Sequence, residues 1–146
     1  MIIGDDKMSN YKFTDNSDKV LDGLDKAVRN ALTAIGMTAE RYAKKDPQMP
    51  VDTGRARNSI TYATKERSGQ SVTFSYNKDG KSAKDSTQIG GGVKDNEVYI
   101  GSNVEYFPYI EFGSPTIGAR HVLQRAATTH SEEYKELVKK ALKGGT

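Results

Sequence analysis

Pro50-Val51-Asp52-Thr53-Gly54-Arg55-Ala56-Arg57-Asn58-Ser59-Ile60 stands where one residue pattern stops and another begins. Pro47 lies just upstream, and proline lacks the N–H and clashes with the preceding turn, so a helix must end here. Asp52 or Thr53 can accept from free backbone N–H groups two or three residues on, capping a short new turn. Gly54 gives the backbone room to reverse tightly. Arg55 and Arg57 follow, two apart, and Ser59-Ile60-Thr61-Tyr62 opens a β-type run. The stretch is a helix-to-strand corner.

Upstream, Val20, Leu21, Leu24, Ala27, Val28, Ala31, Leu32, Ile35, Ala39 and Tyr42 recur at three- and four-residue spacing. That predicts an amphipathic helix over about residues 17–45, with Ser17 as its N-cap and Lys44 and Lys45 near its C-terminus. Gly36 interrupts it and marks a bend or a close approach. Residues 1–16 are polar and uneven, and read as a flexible arm. Downstream, Ile60, Tyr62 and Thr64 alternate, as do Val72, Phe74 and Tyr76, which predicts a hairpin turning near Ser68-Gly69. Glu97-Val98-Tyr99-Ile100-Gly101 supplies a third strand.

Residues 77–96 between them are rich in Lys, Asp, Ser and Gly, and read as a long mobile loop carrying Lys81, Lys84 and the triplet Gly90-Gly91-Gly92. No Gly-Lys-Ser/Thr follows the triplet, so it is no phosphate loop. The aromatic stretch Val104-Glu105-Tyr106-Phe107-Pro108-Tyr109-Ile110-Glu111-Phe112-Gly113 reads as a short helix with a glycine stop. A last helix is expected over residues 121–143. The layout is α+β: a small antiparallel sheet against two long helices, N- and C-terminal, with a short helix before the last. Residues 17–146 read as a single domain.

Composition narrows the chemistry. Of 146 residues, 35% are apolar, which predicts a thin core. There is no cysteine, hence no disulfide or thiolate metal site. The first residues lack a signal peptide's basic and apolar regions, and no run approaches a membrane span, so cytoplasmic assembly without membrane contact is expected. A net charge of +3 is only mildly basic. His121 and His130, nine apart, do not share a helical face, and neither has an obvious triad or metal partner. Glu105 and Glu111, six apart, fall on different helical faces. No nucleophile elbow, dinucleotide fingerprint or Walker motif occurs, so no cofactor and no enzyme activity are expected. Tyr62, Phe74 and Tyr76 can be read as core aromatics or as a base-stacking platform.

Two motifs carry a resemblance. Pro50, Val51, Asp52, Thr53, Gly54, Arg57, Ser59 and Ile60 form one; Gly101, Tyr106, Tyr109, Glu111, Phe112 and Gly113 form the other. In this order the sequence resembles the head–tail connector proteins of tailed bacteriophages, the neck, tail-completion or minor tail components. It departs from their pattern at Ala56, at Ser114 and over residues 117–123. The resemblance implies a non-enzymatic virion part, assembled in the host cytoplasm, that forms a homo-oligomeric ring in the neck. Its implied partners are neighbouring head-completion, tail-tube or terminator proteins, with DNA passing unspecifically through the lumen. It also implies that Asp52, Thr53 and Gly54 fix the corner, that Arg57 pairs with Glu111, and that Tyr106, Tyr109 and Phe112 cement helices to the sheet or to a neighbouring subunit. The loop with Lys81, Lys84, Gly90, Gly91 and Gly92 would contact an adjacent subunit or ring. Alternatives are a tail terminator, a small nucleic-acid-binding module, and a hydrolase using Glu105, Glu111 or His121.

Overall fold

The computed structural model describes residues 2–3, 9–14 and 25–144. Helix α1 (Asp25–Lys45) buries Ala27, Ala31, Leu32, Ile35, Ala39 and Ala43, the three- and four-residue stripe of an amphipathic helix. Lys44 and Lys45 sit in its last turn, as the sequence predicts. The expected first turns, residues 17–24, lie outside the described residues.

After the corner, a single turn of helix α2 (Arg55–Ser59) leads into β3 (Thr61–Ala63). The hairpin partner of β3 differs from the sequence expectation. β3 pairs antiparallel with β6 (Glu97–Ser102), Tyr62 opposite Ile100, whereas β4 (Ser71–Lys78) pairs with β5 (Lys81–Gln88) in a separate two-stranded sheet. The 77–96 stretch is therefore strand for much of its length. Its turn is Asp79-Gly80, both at positive φ (54° and 80°), which suits the right-handed twist of a two-residue hairpin. Residues 9–14, expected in an arm, form β2 (Ser9–Thr14), which pairs along the other edge of β6, with Tyr11 opposite Ile100. β1 (Ile2–Ile3) completes the sheet order β1-β2-β6-β3.

β6 is central because its residues can be buried on both faces, and all but Tyr99 are. Val98 and Ile100 join the main core with Leu32, Ile35, Phe107 and Leu123. Tyr99 packs with Ala63, Ile89 and Val93 in a second, smaller cluster. The glycine triplet serves that cluster. A Cβ on Gly90 would stand 2.6 Å from the Ala63 Cβ, and the Ser68 hydroxyl accepts from the Gly92 and Val93 N–H groups.

Gly36 is a close approach. A Cβ there would lie 2.5 Å from Tyr62 Cδ2. Gly36→Ala gains up to about 1 kcal/mol of helix propensity, but overpacking costs typically about 1–3 kcal/mol, so net destabilisation is expected. Chemical denaturation of a double-mutant cycle checks it: in a Tyr62→Ala background the same change should be neutral or stabilising.

The last helix is two. α4 (Val122–Thr128) and α5 (Ser131–Gly144) meet at Thr129-His130, after two β-branched threonines and before the acidic first turn Glu132-Glu133. The Tyr134 hydroxyl donates back to the Ala126 carbonyl, and His130 stacks on Tyr42 with centroids 3.5 Å apart. The bend lets α5 lie along α1. The α+β class and the long first and last helices are as expected; the strand pairing and the unbroken last helix are corrected.

Arg125 joins α4 to the end of α1 by a two-nitrogen fork onto Asp46, at 2.8 and 2.9 Å. Burial pushes the Asp46 carboxyl up, but the Arg125 fork and the Gln48 N–H outweigh it and hold it below the usual carboxylate range. A folded-state pKa below the unfolded one contributes stability that is present above the unfolded pKa, about 4, and is lost as pH falls through the folded value. Asp46→Asn is therefore expected to cost about 1–2 kcal/mol at pH 7 and progressively less below pH ~4, read from urea midpoints across pH.

Candidate assembly surface at the corner and the aromatic segment

The two sequence motifs meet in space through α2, β6 and α3 (Phe107–Phe112). At the corner, the Thr53 hydroxyl accepts from the Arg55 N–H at 3.2 Å, and Gly54 takes φ 80° ahead of α2. Asp52 is exposed. The Asn77 N–H donates to the Thr53 carbonyl, and Asn58 Nδ2 donates to the Ser75 carbonyl, so the corner grips strand β4. Buried Ser59 donates to the Ala56 carbonyl at 2.6 Å and lies 2.6 Å from the Ser102 hydroxyl. Ser102 in turn accepts from the Val104 N–H, which ties α2 to the end of β6 and the approach to α3.

Arg55 is the hub that sequence reasoning passed over. It donates to Asp85 on β5 at 3.1 and 2.8 Å and to both Glu105 oxygens at 2.8 and 3.1 Å. The rings of Tyr76 and Tyr106 flank it at 5.9 and 5.4 Å. Hydrogen bonds from Arg55 hold the Asp85 and Glu105 carboxyls below their ordinary range. Arg55 so latches the hairpin to the start of the aromatic segment. Arg57, the arginine expected to pair with Glu111, donates instead to Asn58 Oδ1 at 3.2 Å.

Glu111 has a different duty. Fully buried, its carboxylate accepts from the Leu123 N–H at 2.8 Å and the Gln124 N–H at 3.0 Å, capping α4 from twelve residues away. The residue in the N-cap position, His121, is left-handed (φ 49°) and makes no side-chain cap. A carboxylate also suits the positive end of the helix. Gly113 ends α3 at φ 83°, ψ 176°, a region essentially reserved for glycine. Beyond it Ser114 and Ile117 exchange backbone hydrogen bonds, and the Arg120 and His121 N–H groups return to the Ile110 and Glu111 carbonyls. The segment is a closed hook.

Phe107 is fully buried and Tyr106 leans on Arg55, but Tyr109 (58% exposed) and Phe112 (41%) face outward and do not cement helices to the sheet. With Val51 and Ile117 they make four of the five exposed large apolar side chains among the described residues. Tyr109 and Ile117 line a groove of about 500 Å³ together with Pro50, Tyr106, Ile110 and Arg120, and Val51 and Phe112 lie within two residues of its lining along the chain. Lys81 and Lys84 are exposed on β5, at its first and fourth residues, whereas the glycine triplet follows the strand's far end, so the structure sets the lysines and the triplet apart.

Among the described residues no group of His, Cys, Asp or Glu can hold a metal, and no helix is long and apolar enough to cross a membrane. Glu105 and Glu111 are committed to Arg55 and to the α4 backbone.

The arrangement defines a braced scaffold with an apolar surface. The family model described as "Bacteriophage HK97-gp10, putative tail-component" matches residues 11–113. The chain belongs to this family of phage tail components, and the match spans both motifs. Neither a curated protein nor a solved structure matches it significantly.

Proposed function

We propose that the protein is a non-enzymatic connector of the phage neck, forming a ring of identical copies that joins the head and portal side to the tail. The observation that carries this reading is the apolar surface around a pre-built hook. Monomeric proteins rarely leave such side chains clustered and exposed, and clusters of this kind mark interaction sites. Family membership supports a place in the tail apparatus. The carboxylates and arginines of the motifs act as braces, and that supports a role in shape.

In this reading the exposed β4–β5 hairpin, with Lys81 and Lys84, reaches a neighbouring subunit or ring, and the turn around Gly90, Gly91 and Gly92 backs the sheet. Scattered, mildly basic charge lets DNA pass through the lumen without the tight, salt-dependent grip of a phosphate-binding face. Partners are the adjacent head-completion and tail-tube proteins. A null allele tests the function by electron microscopy of infected-cell lysates. The expected result is DNA-filled heads beside finished tails, unjoined. Tails of uncontrolled length would replace this reading with a tail terminator, and normal particles would remove it.

A further inference from the structure

Resting on the ring reading, we propose that the groove receives helix α1 of the next copy, with Met37 as the inserted side chain and Glu40 facing Arg120. The groove is apolar with one cation and no carboxylate in its lining. Arg120 donates through one nitrogen to the Gln48 carbonyl at 3.1 Å, and its remaining N–H groups have no partner among the described residues. The Ile117 wall is fixed by its exchange of hydrogen bonds with Ser114, so little ordering entropy is lost when a guest enters. The guest this chemistry selects is an apolar side chain beside a carboxylate.

The chain itself carries one. At 100° per residue Met37 lies opposite the buried stripe of Ile35 and Ala39, and it is 57% exposed. It is the one exposed large apolar side chain among the described residues that lies outside the patch. Glu40 follows one turn on, on the same side, paired at 3.3 Å with Lys44. Such part-exposed pairs contribute little and exchange readily for a better partner. The unbranched thioether of methionine adapts to an irregular slot. No α1 residue lines the groove, so donor and acceptor surfaces are distinct. Repetition of such a heterologous contact generates a ring when the rotation closes.

Because the chain has no cysteine, disulfide trapping has no background. Met37→Cys combined with Ile117→Cys, both at exposed positions, is oxidised at a concentration where the wild type sediments as an oligomer. The expected result is a ladder of covalent multimers on a non-reducing gel, with each single variant stopping at dimer or below. Arg120→Glu should weaken association about tenfold or more, and adding Glu40→Arg should restore it. Wild-type oligomers with no ladder, or with charge variants that assemble normally, overturn this interface and leave the ring intact. A wild type that stays monomeric in solution and is missing from purified tails overturns the ring beneath it.

Discussion

Glu111→Ala is expected to lower stability by about 3 kcal/mol, a fall of roughly 10 °C in melting temperature for a chain of this size. The change removes two charge-assisted hydrogen bonds and strands the Leu123 and Gln124 N–H groups, the first of them in the core. Unmet buried donors cost about 1–3 kcal/mol each, and the truncation adds a cavity. His121 cannot take over the cap, because its left-handed backbone makes no side-chain bond to the helix. Glu111→Gln keeps one acceptor oxygen, so a loss of about half that size is expected. Thermal unfolding of the two variants gives the comparison. If both melt with the wild type, the carboxylate is not what starts α4. Amide exchange adds a local reading: protection at residues 122–124 should collapse first in the alanine variant.

The second large effect is expected at Gly113. An alanine there would place its Cβ 2.8 Å from the Ala119 nitrogen and 2.9 Å from the Ile117 oxygen, both backbone atoms that cannot swing aside. The φ, ψ pair alone costs a non-glycine residue about 1–3 kcal/mol, and the contacts add to it. A total of about 3 kcal/mol or more is expected, with misplacement of the Ile117 wall. Two other glycines serve as controls. Gly92 has φ 80° but open space around it, so its alanine variant bears only the smaller strain of the left-handed region, about 1 kcal/mol. Gly91 has open space and no positive φ, and its variant should melt with the wild type. Equal melting for Gly113→Ala and Gly91→Ala would refute the steric account.

Much of the fold was legible because it rests on local periodicity. The stripe of α1, the corner at Pro50, the short aromatic helix and its glycine stop all follow from spacing and turn chemistry. Gly36 announced a bend or a close approach, and it is the close approach of Tyr62. Strand pairing was not legible in the same way, because a period-two pattern does not say which neighbour a strand takes. One signal was there to use: Lys78-Asp79-Gly80-Lys81 contains the Asp-Gly pair of a two-residue hairpin, hidden inside a run whose polarity reads as loop. The polarity has its own cause, since β4 and β5 present mainly exposed side chains.

The site was legible in composition more than in partnership. The two motifs point to the right stretches, yet the contact that bridges them is made by residues neither motif includes, Arg55 and Glu105, where Arg57 and Glu111 were expected. The choice depends on where Asp85 and Glu105 stand, and Asp85 comes from a strand that spacing alone did not reveal. The cap by Glu111 was out of reach for a related reason. Sequence rules for caps look within three residues of a helix start, whereas this carboxylate arrives from a different helix.

The hook between Ile110 and Gln124 is closed at several points: two carbonyls and one carboxylate on the incoming side meet four amides on the outgoing side. Such a circuit tolerates new side chains at residues 115, 116 and 118, which are exposed, but it has no slack in length. Among relatives, insertions and deletions should therefore collect at the Asp79-Gly80 tip, where a Cβ added to Gly80 would meet nothing within 4 Å, and spare the hook. The interval from the glutamate to the start of α4 would then be a ruler by which distant members of the family can be aligned when their residues no longer agree.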